Sequence, residues 1–236
     1  MNALILAAGR GTRLSASARG PKCLTQIGNS TLLDRYLDVL DPLGLSVTIV
    51  TGFAADAITR HVALRTRAPA CVFNPEFTLG SVVSLARGLA TLTGPLVLLD
   101  GDVCFHPDIL RHLVDAPAAD ALAVDVGTVF TDEQYMAGVD DDRVTALRRG
   151  VVAGHGSSGE WVGFAKLGAA GAAELRARVD AQVAAGDTGG GYEDALASLL
   201  PDFMVHSVAT AGLPWVEIDF PDDLARATEL HAAGAL

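Results

Sequence analysis

The chain has 236 residues, half of them hydrophobic, which suits one α/β domain over residues 1–236 with a sizeable core. Asp and Glu number 28 against 17 Lys and Arg, a formal net charge of -11 that disfavours nucleic acid as a partner. Three widely spaced cysteines, Cys23, Cys71 and Cys104, exclude a disulfide scaffold and argue against a zinc site. The N-terminal apolar stretch Ala3 to Ala8 is too short for a signal-peptide core or a membrane span, so no membrane partner and a cytoplasmic location are expected.

In chain order, Ala3–Ala8 reads as a buried strand stopped at Gly9. Thr31–Leu43 carries a helical apolar stripe, and Val47–Thr51 is a strand stopped by Gly52. A helix over Ala54–Leu64, a strand over Ala70–Phe73 and a helix over Ser81–Leu92 follow. Then come a strand over Pro95–Leu99 and a helix over Pro107–Val114 with proline in its first turn. The second half is less regular. Strands are expected at Ala121–Val126, Val144–Leu147 and Trp161–Ala165, and helices over Ala169–Ala185 and Tyr192–Leu200 after three glycines. A strand at Trp215–Ile218 and a helix over Pro221–Ala232 close the chain. Strands alternating with helices imply a mainly parallel sheet covered on both faces.

The charge is unevenly spread. Residues 1–33 hold Arg10, Arg13, Arg19 and Lys22 and no acid, so this segment is +4 and the remainder is -15. A basic loop on an acidic protein suits capture of a small polyanion, although a solvated surface loop would give the same count. The loop contains Leu6-Ala7-Ala8-Gly9-Arg10-Gly11-Thr12-Arg13-Leu14, with Pro21-Lys22 after it. Glycine lets backbone N–H groups approach phosphate oxygens, and Arg13 and Lys22 add charge-assisted contacts. It is neither a P-loop nor a dinucleotide fingerprint, since Leu14 stands where the third glycine belongs. Asp100-Gly101-Asp102 ends a buried strand, where two carboxylates suit Mg²⁺, although an isolated pair of this kind also fits a solvated turn. Asp219 in Glu217-Ile218-Asp219 precedes a helix and suits either an N-cap or a metal ligand.

The string from Leu6 to Leu14 with Pro21-Lys22 resembles the signature of nucleotidyltransferases of the MobA-like, GT-A type, which move NMP from an NTP onto a phosphorylated acceptor. That resemblance implies a Rossmann-like three-layer α/β/α sandwich with a mostly parallel mixed central sheet. It places Leu6, Ala7, Ala8, Gly9, Gly11, Thr12, Arg13 and Asp100 at the nucleotide. It puts Mg²⁺ on Asp102 and Asp219, and Lys22 between the α-phosphate and the acceptor. Val72-Phe73-Asn74 with Ser84-Leu85, Trp161-Val162-Gly163-Phe164, and Tyr192 with Asp194 narrow the resemblance to the phosphocholine and phosphonate cytidylyltransferases.

The narrower resemblance implies CTP as donor, Ser84 against the base, and Trp161, Tyr192, Glu193 and Asp194 with Lys22 around the acceptor. Glu193 stands where an aromatic is common in the phosphocholine branch. An aminoethyl- or hydroxyalkyl-phosphonate, or the matching phosphate ester, is therefore expected over phosphocholine. The rival expectations are a sugar-1-phosphate nucleotidyltransferase using UTP, dTTP or GTP, and a nucleotide-sensing domain without turnover. A homodimer is left open.

Overall fold

The computed structural model describes residues 1–14, 20–126, 128 and 134–236. Arg19 of the basic segment lies outside them. In chain order the elements are β1 (Asn2–Ala7), the small hairpin β2 (Gln26–Ile27) and β3 (Ser30–Thr31), α1 (Leu32–Leu40), β4 (Ser46–Thr51), α2 (Ala55–Val62), β5 (Ala70–Phe73), α3 (Ser81–Leu89), β6 (Leu96–Asp100), β7 (Val103–Phe105) and α4 (Pro107–Asp115). The second half adds β8 (Ala121–Val126), β9 (Tyr135–Asp140), β10 (Arg143–Arg149), β11 (Ser157–Leu167), α5 (Ala169–Ala184), α6 (Tyr192–Ser198), β12 (His206–Ala209), β13 (Trp215–Glu217) and α7 (Pro221–Ala232).

Nine strands form one mixed sheet in the order β5-β4-β1-β6-β11-β8-β12-β10-β9. β5, β4, β1 and β6 run parallel because each connection is a helical crossover. Beyond β6 only β8 and β12 pair in parallel, while β11 runs antiparallel to β6, β8 and β9. The parallel half is the half whose strands and helices alternate in the sequence. β1 shows why both faces are covered: Ala3, Ile5 and Ala7 face one core and Leu4 the other. The first core takes α1, α2, α4 and α7, and the second takes α3, α5 and α6.

Local chemistry sets the boundaries. Thr31 begins α1 as a capping box: its hydroxyl accepts from the Asp34 N–H at 3.1 Å, and the Asp34 carboxylate accepts from the Thr31 N–H at 3.3 Å. His106 caps α4, its Nδ1 accepting from the Asp108 N–H at 3.2 Å. Asp141 and Asp142 both have positive φ (47° and 63°), as a two-residue turn between β9 and β10 requires. β11 is longer than expected and carries a bulge. Four steps from Trp161 to Ala165 match two steps of β8, from Val124 to Leu122. Gly163 sits in this bulge with φ +88°, and a Cβ there would lie 2.7 Å from the Asp100 carboxylate.

Two buried polar side chains tie the sheet to what it carries. The Tyr36 hydroxyl donates to the Asp100 carbonyl at 2.5 Å and accepts from the Val103 N–H at 3.1 Å. Its ring packs edge-on against Phe105 and Phe164. Tyr36→Phe keeps the ring and orphans both backbone groups, so it should cost about 1–3 kcal/mol in chemical denaturation. Glu160 on β11 is 7% exposed, with the neutral side chains of Gln134 and Thr128 as hydrogen-bond partners. Burial, reinforced by the Asp125 charge, pushes its carboxyl from 4.5 up to about 7. The unfolded chain therefore loses this proton first, and stability falls as pH rises from about 4.5 to 7. Glu160→Gln should be more stable than the parent above pH 7, by roughly 3 kcal/mol at most. The gain should vanish below pH 4.5, as read by denaturation at each pH.

Candidate active site

The C-terminal ends of β1 and β6 open onto a cavity of about 220 Å³, the usual ligand edge of an α/β sheet. Leu6, Ala7, Gly9, Gly11, Thr12 and Arg13 line one side, Lys22 and Cys23 the floor, and Gly101, Asp102 and Asp219 the other side. Gly11 has φ +58°, and a Cβ there would come within 3.1 Å of the Lys22 Cβ, so glycine serves both the turn and the approach of the lysine.

Lys22 is the centre of the charge network. Its Nζ lies 2.8 Å from Asp102 Oδ2 and 2.5 Å from Asp219 Oδ1, and its side chain is 10% exposed. Burial opposes its charge, but the two carboxylates outweigh burial and the lysine is held above its ordinary pKa. Arg13 reaches the other Asp219 oxygen at 2.8 Å and stacks over Phe220 at 5.2 Å. The two readings of Asp219 are thereby separated. Asp223 caps α7, accepting from the Asp219 and Phe220 N–H groups at 3.0 and 2.7 Å, and the Asp219 carboxylate faces Lys22 and Arg13. Cys23 is buried in the wall, and desolvation pushes its thiol up to about 12, which makes it a poor nucleophile.

Asp102, Glu217 and Asp219 bring carboxylate oxygens within 4.8 Å of one another, the one such acidic group among the described residues. Three hard oxygen donors around a point that already takes an ammonium fit a divalent cation such as Mg²⁺. Glu217 opens into the cleft, yet surrounding protein and then the charges of Asp102 and Asp219 push its carboxyl to about 8. Sequence reading singled out Asp102 and Asp219 and missed Glu217. Its signal was the i, i+2 spacing from Asp219 at a strand end, which puts both on one face.

Asp100 behaves differently from Asp102. Its carboxylate is buried, accepts from the Tyr192 hydroxyl at 2.8 Å and abuts Gly163, and desolvation raises its pKa well above the usual range. Tyr192 is likewise buried, holding Asp100 from behind. Ser84 is buried and accepts from the Asn74 amide at 3.0 Å, while the Ala8 carbonyl accepts from the Phe53 N–H. Neither Ser84 nor Ala8 lines this cavity or the larger one next to it, and Asp194 is exposed outside both.

A second cavity, about 680 Å³, shares Arg13 and Asp219 with the first. Trp161 and Glu193, two residues that the sequence reading groups around the acceptor, line it together with Tyr135, Glu160, Trp215 and Glu217, which that reading did not single out. The cavity also holds more aromatic residues than the 6% aromatic content suggests, since the fold gathers Tyr135, Trp161, Trp215 and Phe220 from four separate segments.

Comparison with known proteins bears on the fold and the family. The solved CTP:phosphocholine cytidylyltransferase LicC of Streptococcus pneumoniae shares the fold, with a TM-score of 0.79, 19% identity and coverage of 98% of each chain. A CMP-5'-(3-aminopropyl)phosphonate synthase of Streptomyces rubellomurinus is 32% identical over 131 residues, 52% of this chain and 20% of that protein. A bifunctional IPC transferase and DIPP synthase of Rubrobacter xylanophilus is 29% identical over 134 residues, 56% of this chain and 30% of that protein. The matched region thus spans a third or less of the length of these two curated relatives. Residues 3–189 match the MobA-like NTP transferase domain, and the chain belongs to that family.

Proposed function

We propose that the protein is a cytidylyltransferase that moves CMP from CTP to a small phosphonate or phosphate-monoester acceptor and releases pyrophosphate. The observation that carries this reading is Lys22, drawn from the basic glycine loop and paired in the smaller cavity with Asp102 and with Asp219, which lines both cavities. An acceptor oxygen attacks the α-phosphorus, the bond from that phosphorus to the β-bridging oxygen breaks, and pyrophosphate departs with its electron pair. Gly9, Gly11 and Thr12 cradle the triphosphate with backbone N–H groups. Lys22 holds the α-phosphate against the incoming oxygen, and Arg13 meets the leaving pyrophosphate. Asp102, Glu217 and Asp219 would hold Mg²⁺, which when bound supplies charge neutralisation at the phosphates. Trp161 and Glu193 wall the acceptor side. The cytidyl products in the names of the relatives support CTP as the donor.

Pyrophosphate release with CTP, UTP, dTTP and GTP against phosphonate, phosphate-ester and sugar-1-phosphate acceptors tests this reading. CTP with a phosphonate or phosphate ester should give the highest kcat/KM. A preference for UTP, dTTP or GTP with a sugar phosphate would favour the sugar-nucleotide alternative, and nucleotide binding without release would leave a sensing domain. Lys22→Ala should lower kcat about 10²–10³-fold with the fold intact by circular dichroism. Excess EDTA should abolish turnover, and added Mg²⁺ should restore it; turnover that persists in EDTA would remove the metal from the proposal.

A further inference from the structure

The larger cavity is lined by seven acidic residues and three arginines, so it has charge to spare for a cation. Most of those acids are already engaged. Asp219 is paired with Lys22 and Arg13, and Asp223 caps α7. Asp100 is held by Tyr192 behind Gly163, and Glu217 stands in the acidic trio beside the smaller cavity. Asp125 accepts from Thr210 at 2.7 Å, Thr128 at 2.9 Å and the Trp215 indole at 3.0 Å, so its lone pairs are largely used. Glu193 has the Arg149 charge beside it, and its buried Oε2 has no hydrogen-bond partner among the described residues.

Glu160 is the most buried of the seven. Its hydrogen-bond partners, Gln134 and Thr128, carry no charge, and Arg226 acts on it as a neighbouring charge. A buried carboxylate hydrogen-bonded to neutral groups gains most from a ligand that brings a charged donor. The aromatic faces point the same way. Arg149 covers the Tyr135 ring at 5.0 Å and Arg13 the Phe220 ring at 5.2 Å, so two of the four rings already carry a guanidinium. Trp161 is fixed by its indole N–H on the Phe164 carbonyl and packs edge-on against Tyr192. Such a cavity is poor in open π-faces for a quaternary ammonium and rich in carboxylate for N–H donors.

We propose that Glu160 is the specificity-determining residue for the far end of the acceptor, selecting a primary ammonium over a hydroxyl or a trimethylammonium. This rests on the acceptor reading of the larger cavity given above. The ammonium places its charge against the Glu160 carboxylate, with Asp125 and Trp215 forming the adjoining wall, while the phosphonate end lies toward Lys22.

Calorimetry on the full chain, with a non-hydrolysable CTP analogue and Mg²⁺ present, can compare 2-aminoethylphosphonate, 2-hydroxyethylphosphonate and phosphocholine at pH 8. The parent protein should bind the aminoethyl compound at least tenfold tighter than either of the others. Glu160→Gln should bring the aminoethyl-to-hydroxyethyl ratio close to one, and Glu160→Asp should restore part of it. A ratio unchanged in Glu160→Gln, or a parent protein that shows no preference or favours phosphocholine, would overturn the proposal. Pyrophosphate release measured alongside separates the two ideas. An ammonium preference lost in Glu160→Gln without any turnover leaves this proposal standing and removes the transferase reading. Turnover with a ratio indifferent to Glu160 does the reverse.

Discussion

One buried ammonium between two carboxylates organises this molecule. Lys22 comes from a loop far from Asp102 and Asp219 in sequence, yet all three meet at hydrogen-bond distance. Unpaired, either side would be costly: a lysine with its charge out of water, or carboxylates crowded at one sheet edge. The fold answers both with one contact, and neighbouring features serve it. Gly11 clears space for the lysine stem, Tyr36 ties the turn before Asp102 to the core, and Asp223 takes over the helix cap so that Asp219 faces inward. The uneven charge along the chain thus becomes a local pairing of basic loop and acidic edge.

The division of labour in the sheet follows from its topology. The parallel half ends in the glycine loop and the Asp100–Asp102 turn, as crossover connections dictate. The antiparallel half supplies the walls of the larger cavity from β8, β9 and β11, with β13 pairing to β7 alongside. On the proposed function, phosphate chemistry and acceptor recognition therefore sit on different kinds of pairing, joined at the β6–β11 boundary.

The sequence was most legible where period and punctuation agree. Ala70–Phe73, Ala121–Val126 and Pro221–Ala232 form with the expected bounds, and the glycine loop, Lys22, Asp102 and Asp219 converge as expected. The strands not foreseen are β2, β3, β7, β9 and β12. β2 and β3 have two residues each, β7 three and β12 four, too few for a period to show, and β9 carries Gly138 in its middle, so partners rather than propensity decide them. Side-chain direction was harder to read than element type. Tyr192, Glu193 and Asp194 are consecutive on a helix, and a step of about 100° per residue sends one inward, one to the cavity and one to solvent. Ser84 looks like an open first-turn hydroxyl until Asn74 is brought against it from the end of β5.

The bulge in β11 has a consequence for how this scaffold can vary. Because it adds two residues on β11 against β8, an even number, the alternation of faces runs on through it: Trp161 and Ala165 share one core, Val162 and Phe164 the other. The extra length is absorbed locally, so the stretch Ser157–Glu160, which pairs with β9, can exchange residues while Phe164–Leu167 stays zipped to β6. Gly163, at φ +88°, works as a joint between a half-strand that lines the larger cavity and a half-strand that stays in register with β6. On the proposed function, that joint lets the acceptor side be recut in one half of a single strand while the surroundings of Lys22 keep their shape.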